Sequence, residues 1–296
     1  DSGGLAAPLD ATPGEGTFYD IAGAASFADG ATLWLALGDL DGAEGRHTIL
    51  EADSVTGAST LKTDTSMMPF LFKAALATSA PANTVAVDVS RKTAEELELN
   101  RSQAAAYDAI FDVLTRDEEV EDVFLRLANG EQVRGALRQM LPDHAGGAFE
   151  GISLGSRAFA RQIADPQSPV YTFGGLDLLF SAAGWSSSKD EGETAAYDLG
   201  GFGFSVAGEV DTGIGAFGIS GAVFWNDYDD GTQFTNVESD TYELAGYWRG
   251  HWGGLDLFAR GSLGRVDFAG KRTFFGIDED GETVTKDVKG KWKGTL

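Results

Sequence analysis

The sequence predicts a mainly β protein whose second half is an antiparallel sheet of the outer-membrane barrel type, and three observations carry that reading. From Pro169 onward, segments of roughly ten to fifteen residues alternate apolar and polar side chains between acidic, Gly-rich turns. Glycine is abundant at 40 and proline scarce at 7 in 296 residues, a balance that suits many tight turns between strands. The sequence has no continuous apolar run of about 18 residues, so any membrane crossing falls to strands.

The alternation is clearest from Tyr242 to Trp252. One parity reads Tyr242, Leu244, Gly246, Trp248, Gly250 and Trp252; the other reads Glu243, Ala245, Tyr247, Arg249 and His251. The next segment sets Leu255, Leu257, Ala259 and Leu263 against Asp256, Arg260 and Ser262. A period of two places these sets on opposite strand faces. Lipid supplies no water to a backbone, so strands cross it only as a closed barrel, apolar outside and polar within.

The elements before that sheet fall into two groups. Residues 1–93 contain short β-like runs at Gly16 to Ile21, Thr32 to Leu37, His47 to Ala52, Leu71 to Leu76 and Thr84 to Val89, separated by turns such as Asp29-Gly30. They read as the end of a parallel β-helix, with a small β-sandwich as the alternative. Residues 94–168 change period: Ala104, Tyr107, Ile110, Phe111 and Leu114, then Val120, Val123, Phe124 and Leu127, then Val133, Ala136, Leu137 and Met140 fit three short amphipathic helices. Asn100 with Gln103 and Thr115 with Glu118 have capping-box spacing, Asn129-Gly130 marks a stop and start, and Pro142 ends the third helix. A fourth helix, Ile152 to Ile163, carries Arg157 and Arg161 on its polar side.

Residues 169–296 then read as five strands and the start of another: Val170 to Trp185, Tyr197 to Val210, Gly215 to Asn226, Thr241 to Trp252, Gly254 to Phe268, and Val284 to the end. Short connections alternate with longer acidic ones (Ser186 to Thr194, Asp227 to Asp240, Lys271 to Glu282), as in outer-membrane barrels. Trp185, Trp225, Trp248, Trp252 and Tyr247 fall near strand ends, where an interfacial belt needs aromatic rings.

Composition removes several function classes. A net charge of -24 with a pI near 4.3 offers no basic patch for nucleic acid. The clusters Asp227-Tyr228-Asp229-Asp230 and Asp278-Glu279-Asp280-Gly281-Glu282 read as solvated turns; their alternative, divalent-ion binding, lacks the spacing of an EF-hand. Cysteine is absent, which removes disulfides and thiolate sites and suits a chain that crosses an oxidising compartment unfolded. The chain begins at Asp1 without an initiator Met or signal peptide, so its N-terminus reads as cut from something longer.

Three stretches resemble the C-terminal part of autotransporters, the type V secreted proteins of Gram-negative outer membranes. Ala86 to Tyr107 looks like the last strand of the passenger running into a helical junction, Gly130 to Pro142 looks like the junction helix, and Tyr197 to Glu209 looks like an early barrel strand. The resemblance implies a β-helical passenger at the cell surface, helices joining it to the translocator, and a twelve-stranded barrel that anchors the product. It implies as partners outer-membrane lipid, the barrel-assembly machinery and periplasmic chaperones. It also implies that the helix before Val170 occupies the barrel lumen, where Arg157 and Arg161 would meet Asp177, Glu209 or Glu243. About half the expected strands are present, and Gly290 to Leu296 departs from the closing strand with its terminal aromatic residue, so the sequence reads as a fragment. The rival is a soluble, surface-exposed β-rich adhesive or binding module.

Enzymatic motifs fail on context. Gly151-Ile-Ser153-Leu-Gly155 fits the nucleophile-elbow string but follows a Gly-rich loop at Ala145 to Glu150 rather than a strand. Gly213 to Gly218 fits a dinucleotide fingerprint but precedes a strand where a helix is needed. His47, His144 and His251 lie in three regions, none with a partner at metal-ligand spacing. The expectation is therefore no enzyme in this portion, with no catalytic, cofactor-binding or metal residues and no cofactor. No residue names the passenger's target.

Overall fold

The computed structural model describes residues 4–9, 17–141, 146–232, 234–278 and 280–296. Gly16, Pro142, His144, Ala145 and Glu279, which the sequence reading used as boundary, loop or cluster residues, lie outside them. The protein is mainly β. Its contacts divide it into two units, Asp1–Leu141 with Phe274–Thr285, and Pro142–Thr273 with Lys286–Leu296.

The first unit begins with β1 (Gly4–Pro8), β2 (Thr17–Ser26), β3 (Thr32–Ala36), β4 (Gly45–Thr56) and β5 (Lys62–Met67), which alternate between two sheets. β1, β3 and β5 stack in parallel in one sheet, and β2 pairs in parallel with β4 in the other. Gly4 lies opposite Thr32 and Thr32 opposite Lys62, while Thr17 lies opposite Thr48. The chain thus returns to the same row about 30 residues later, a length typical of stacked repeats. Leu33, Leu35, Ile49, Leu61 and Leu71 are buried between the layers, where each pass supplies apolar groups to the next. β1 and β5 escape the sequence reading: β1 is only five residues, Gly-Leu-Ala-Ala-Pro, and Lys62 to Met67 has neither an apolar run nor a buried residue and holds its place by pairing with β3.

Two antiparallel strands, β6 (Phe72–Leu76) and β7 (Thr84–Arg91), end the parallel stacking, with β7 against β4. Arg46 and Asp88 face each other across that pair in a bidentate bond of 2.7 and 2.9 Å, and this bond holds the Asp88 carboxyl below its usual range. Beyond β7, Lys73 at 2.5 Å and the Thr93 amide at 2.8 Å hold the Glu96 carboxyl down to about 2.

The helices α1 (Arg101–Leu114), α2 (Glu118–Leu125) and α3 (Gly130–Met140) form where the period-3.6 pattern places them. Asn100 and Gln103 close the expected capping box on α1, and Asn129 caps α3 by accepting from the Gln132 amide at 3.0 Å. The Thr115–Glu118 box does not form: α2 starts two residues later, with Asp117 at its N-cap and Glu118 its first helical residue. Arg91 lies over the Phe111 ring at 4.2 Å and pairs with Asp108 at 3.0 Å, joining β7 to α1. Burial drives up the Glu121 carboxyl although it accepts from the Leu40 amide at 2.9 Å.

The second unit is one sheet of β8 (Tyr171–Phe173), β9 (Leu176–Lys189), β10 (Tyr197–Thr212), β11 (Gly215–Asp229), β12 (Thr235–Trp252), β13 (Leu255–Ile277) and β14 (Thr283–Thr295). Each strand pairs with its neighbour in sequence, β8 and β14 forming the two edges, and the pairs from β8 to β13 are antiparallel. The sheet is therefore open, without closure into a barrel among the described residues. Among the described residues seven strands stand where five and a start were expected. Gly174 and Gly175, at φ of 60° and 84°, turn the expected Val170 to Trp185 strand into a hairpin. β12 and β13 also extend beyond the predicted ends, because charged residues such as Glu238, Asp240, Lys271 and Arg272 sit on strands rather than in loops. The connections at one end shrink to 190–196, 230–234 and 278–282, against 174–175, 213–214 and 253–254 at the other.

The tip of the β13–β14 hairpin, Phe274–Thr285, belongs to the first unit. There Phe274 stacks on Phe124 with ring centroids 6.2 Å apart, Val284 is buried, and the Phe275 amide donates to Gln139 Oε1 at 2.6 Å.

Candidate functional site: an apolar band over a polar inner face

The second unit's sheet has two faces of opposite chemistry, set by parity. The outward set runs Phe202 to Val210 on β10, Phe217 to Trp225 on β11, Tyr242 to Trp252 on β12 and Leu255 to Leu263 on β13. Each apolar stretch has the length that carries a tilted strand across hydrocarbon, about 9–11 residues. Ile219 is 68% exposed, Leu263 64%, Phe204 54% and Leu244 54%, so the face forms one contiguous apolar surface rather than scattered side chains.

The band's boundary runs diagonally across the strands. The first charged outward residue is Asp198 on β10, Asp227 on β11, Asp240 on β12 and Arg265 on β13. Asp227 faces Gly200, one outward position beyond Asp198; Asp240 faces Trp225, one beyond Asp227; Arg265 faces Tyr242, one beyond Asp240. Each strand crossed, about 4.8 Å, moves the boundary by about 6.8 Å along the strand. A flat slab that cuts steeply tilted strands produces that offset. Aromatic rings mark both limits. Phe202 and Trp225 stand 5.1 Å apart below Asp227, while Phe217, Trp248 and Trp252 cluster at the end with the short turns.

The opposite face is covered by α4 (Gly147–Ala164), which begins five residues before the expected Ile152. Its buried side is Gly147, Ala148, Gly151, Ile152, Gly155, Phe159 and Ile163. The glycines recur every fourth residue, so they align along one face of the helix. A Cβ on Gly151 would sit 2.9 Å from Asn226 Oδ1, and one on Gly155 would sit 2.7 Å from the Trp185 ring. The small stripe lets the helix backbone approach β9 and β11; in sequence it reads as loop composition. Phe159 is fully buried against Trp185 and Phe224, a contribution of about 2–3 kcal/mol.

Two buried carboxylates organise the rest of this face. Glu209 accepts from Tyr247 Oη at 2.9 Å and from Arg249, whose Nη1 also donates to the Ile163 carbonyl at 3.2 Å at the C-terminal end of α4. Glu243 accepts from Ser156 Oγ at 2.5 Å and from Arg260, with the Glu243 side chain 1% exposed. Tyr247 reaches Glu209 across Gly218, where a Cβ would lie 2.3 Å from the Tyr247 ring. Trp185 likewise passes over Gly201 to donate to Asn226 Oδ1 at 2.8 Å. In both cases a glycine on the middle strand opens the path between its neighbours.

The expected lumen pairing thus takes a different form. Glu209 and Glu243 do lie on the helix-covered face, but their cations are Arg249 and Arg260 of the sheet, and the helix contributes Ser156 and its carbonyls. Arg157 donates to the Ser153 carbonyl one turn back, and Asp177 accepts from Thr172 at 2.6 Å. Sequence reasoning missed Ser156; its one mark in the sequence is its place directly after Gly155 in the small-residue stripe of α4.

The remaining candidate residues do not converge. Ser153 lies inside α4 and donates to the Phe149 carbonyl at 3.0 Å; Gly213 belongs to the β10–β11 turn. His47 is buried with Nε2 3.0 Å from the Ala43 carbonyl, and His251 is exposed beside Asp256. Asp229, Asp230 and Asp278 accept from amides two to four residues on, shaping the turns they stand in. Among the described residues, no three His, Cys, Asp or Glu side chains gather as a metal cluster. No family model, curated protein or solved structure matches the chain.

Proposed function

We propose that this chain is part of an autotransporter, which translocates its passenger and anchors it at the outer membrane of a Gram-negative bacterium. The observation that carries the reading is the diagonal apolar band, bounded by aromatic rings and backed by a polar face that a helix fills. Such a face suits lipid, and the open edges at β8 and β14 would be closed by further strands. The alternating parallel strands of the first unit support a β-helical passenger end exposed at the surface, and α1 to α3 support the junction. In this reading the portion is non-enzymatic, and its partners are outer-membrane lipid, the barrel-assembly machinery and periplasmic chaperones.

The test is expression of the whole encoding frame with a signal sequence in a Gram-negative host. The reading expects the protein in the outer-membrane fraction, with a band that shifts on heating in detergent. A water-soluble protein without that shift would replace it by the soluble adhesive module.

A further inference from the structure

The outward face is not evenly filled. Phe180, Phe204, Gly221, Tyr242, Leu244 and Leu263 line an open groove of about 720 Å³, with Arg265 among its walls. Its floor is Gly221, where an added Cβ would meet only the Glu243 carbonyl oxygen at 4.0 Å. Neighbours therefore do not require a glycine there; its missing side chain creates the space. Gly208, Gly246 and Gly261 continue the low ground in the next row, beside Ile219.

The charge beside the groove runs against that of the chain. Arg265 and Lys293 both approach Asp267, at 2.9 and 3.9 Å, so two cations share one acid. Lys291 follows on the exposed side of β14 two residues before Lys293. Asp240 of β12 lies opposite Asp267, so the positive excess is confined to β13 and β14, where Arg265, Lys291 and Lys293 stand against Asp267; it occurs in a protein of net charge -24, on the side of the longer connections.

We propose that the groove holds an acyl chain of a phosphorylated lipid, from the leaflet on the side of the longer connections, with Arg265 and Lys293 facing its phosphate. The inference rests on the outward face lying in lipid. An apolar slot of this size takes a hydrocarbon chain without displacing any side chain, and a cation at the boundary favours an anionic headgroup over a zwitterionic one.

The protein, extracted into neutral detergent and exchanged free of native lipid, is mixed with equal amounts of phosphatidic acid and phosphatidylcholine, and retained lipid is counted by native mass spectrometry. Phosphatidic acid is expected to be retained about tenfold over phosphatidylcholine, and R265Q/K293Q to remove that preference. G221L is expected to lower retention of both lipids while leaving the heat-dependent shift intact. Equal retention of the two lipids, or retention unchanged by both variants, overturns the proposal. Inorganic phosphate competing as well as phosphatidic acid would assign a soluble-anion site instead, and a dimer lost in G221L would assign the groove to a second copy. If the unsubstituted protein is water-soluble without a heat-dependent shift, the lipid-facing reading itself fails.

Discussion

The two units use the same period-two alternation with opposite sense. In the first, Leu33 and Leu35 point into an apolar interior while Arg46 and Asp88 pair on the outside, with side chains 44% and 49% exposed. In the second, Glu209 and Glu243 lie on the covered face while Phe204, Ile219 and Leu244 lie exposed. Alternation alone therefore identifies strands but not their solvent. What distinguishes the units is which parity carries the charges, and how those charges are satisfied.

Ion pairs sharpen this contrast most. Glu243→Ala leaves Arg260 buried without its carboxylate and should cost about 3–5 kcal/mol, read as a lower temperature for loss of the folded band. In the first unit the corresponding loss comes from an apolar contact: Phe124→Ala, which removes the stack on Phe274, should cost about 3–5 kcal/mol in thermal unfolding. Gly155→Val tests the close approach of α4 and should destabilise by about 1–3 kcal/mol through the clash with Trp185 and Phe224. Asp88→Ala, on the exposed pair, should cost only about 0.2–1 kcal/mol and less at high salt.

The smallest effects are two carboxylates of the first unit with opposite pH dependence. Burial raises the folded-state pKa of Glu121, so its ionised form is disfavoured and stability rises as pH falls through that pKa. Glu121→Gln should therefore stabilise at neutral pH, with the gain vanishing in acid. Glu96 is held down to about 2 by Lys73, so its contribution is present above the ordinary 4.5 and lost as pH falls toward about 2. Glu96→Gln should destabilise at neutral pH and match the unsubstituted protein near that lower limit. Thermal melts between neutral pH and acid check both.

Much of this contrast was legible in the sequence. The parity sets around Tyr242 and Leu255 are the observed outward faces, and the Asn100–Gln103 box starts α1 as its spacing indicated. Two physical circumstances hid the rest. Backbone pairing can hold a strand with no apolar pattern, as at Lys62–Met67. Glycine also serves opposite ends: at Gly174 and Gly175 it turns the chain, whereas at Gly151, Gly155 and Gly218 it makes room for a neighbour's side chain. Composition cannot separate these uses. The choice of Arg249 and Arg260 over Arg157 as partners of the buried acids depends on cross-strand register, which only the folded sheet supplies.

The most direct measurement of the central claim uses the absence of cysteine from the chain. Single cysteines placed in turn from Tyr242 to Trp252, each carrying a nitroxide, would be read in membranes for collision with a lipid-soluble and a water-soluble relaxer. The account predicts a period of two, with Tyr242, Leu244, Gly246 and Trp248 reached by the lipid-soluble relaxer and Glu243, Ala245 and Tyr247 shielded from it. Equal access of the water-soluble relaxer to Leu244 and Trp248, with no lipid contact at either, would contradict it.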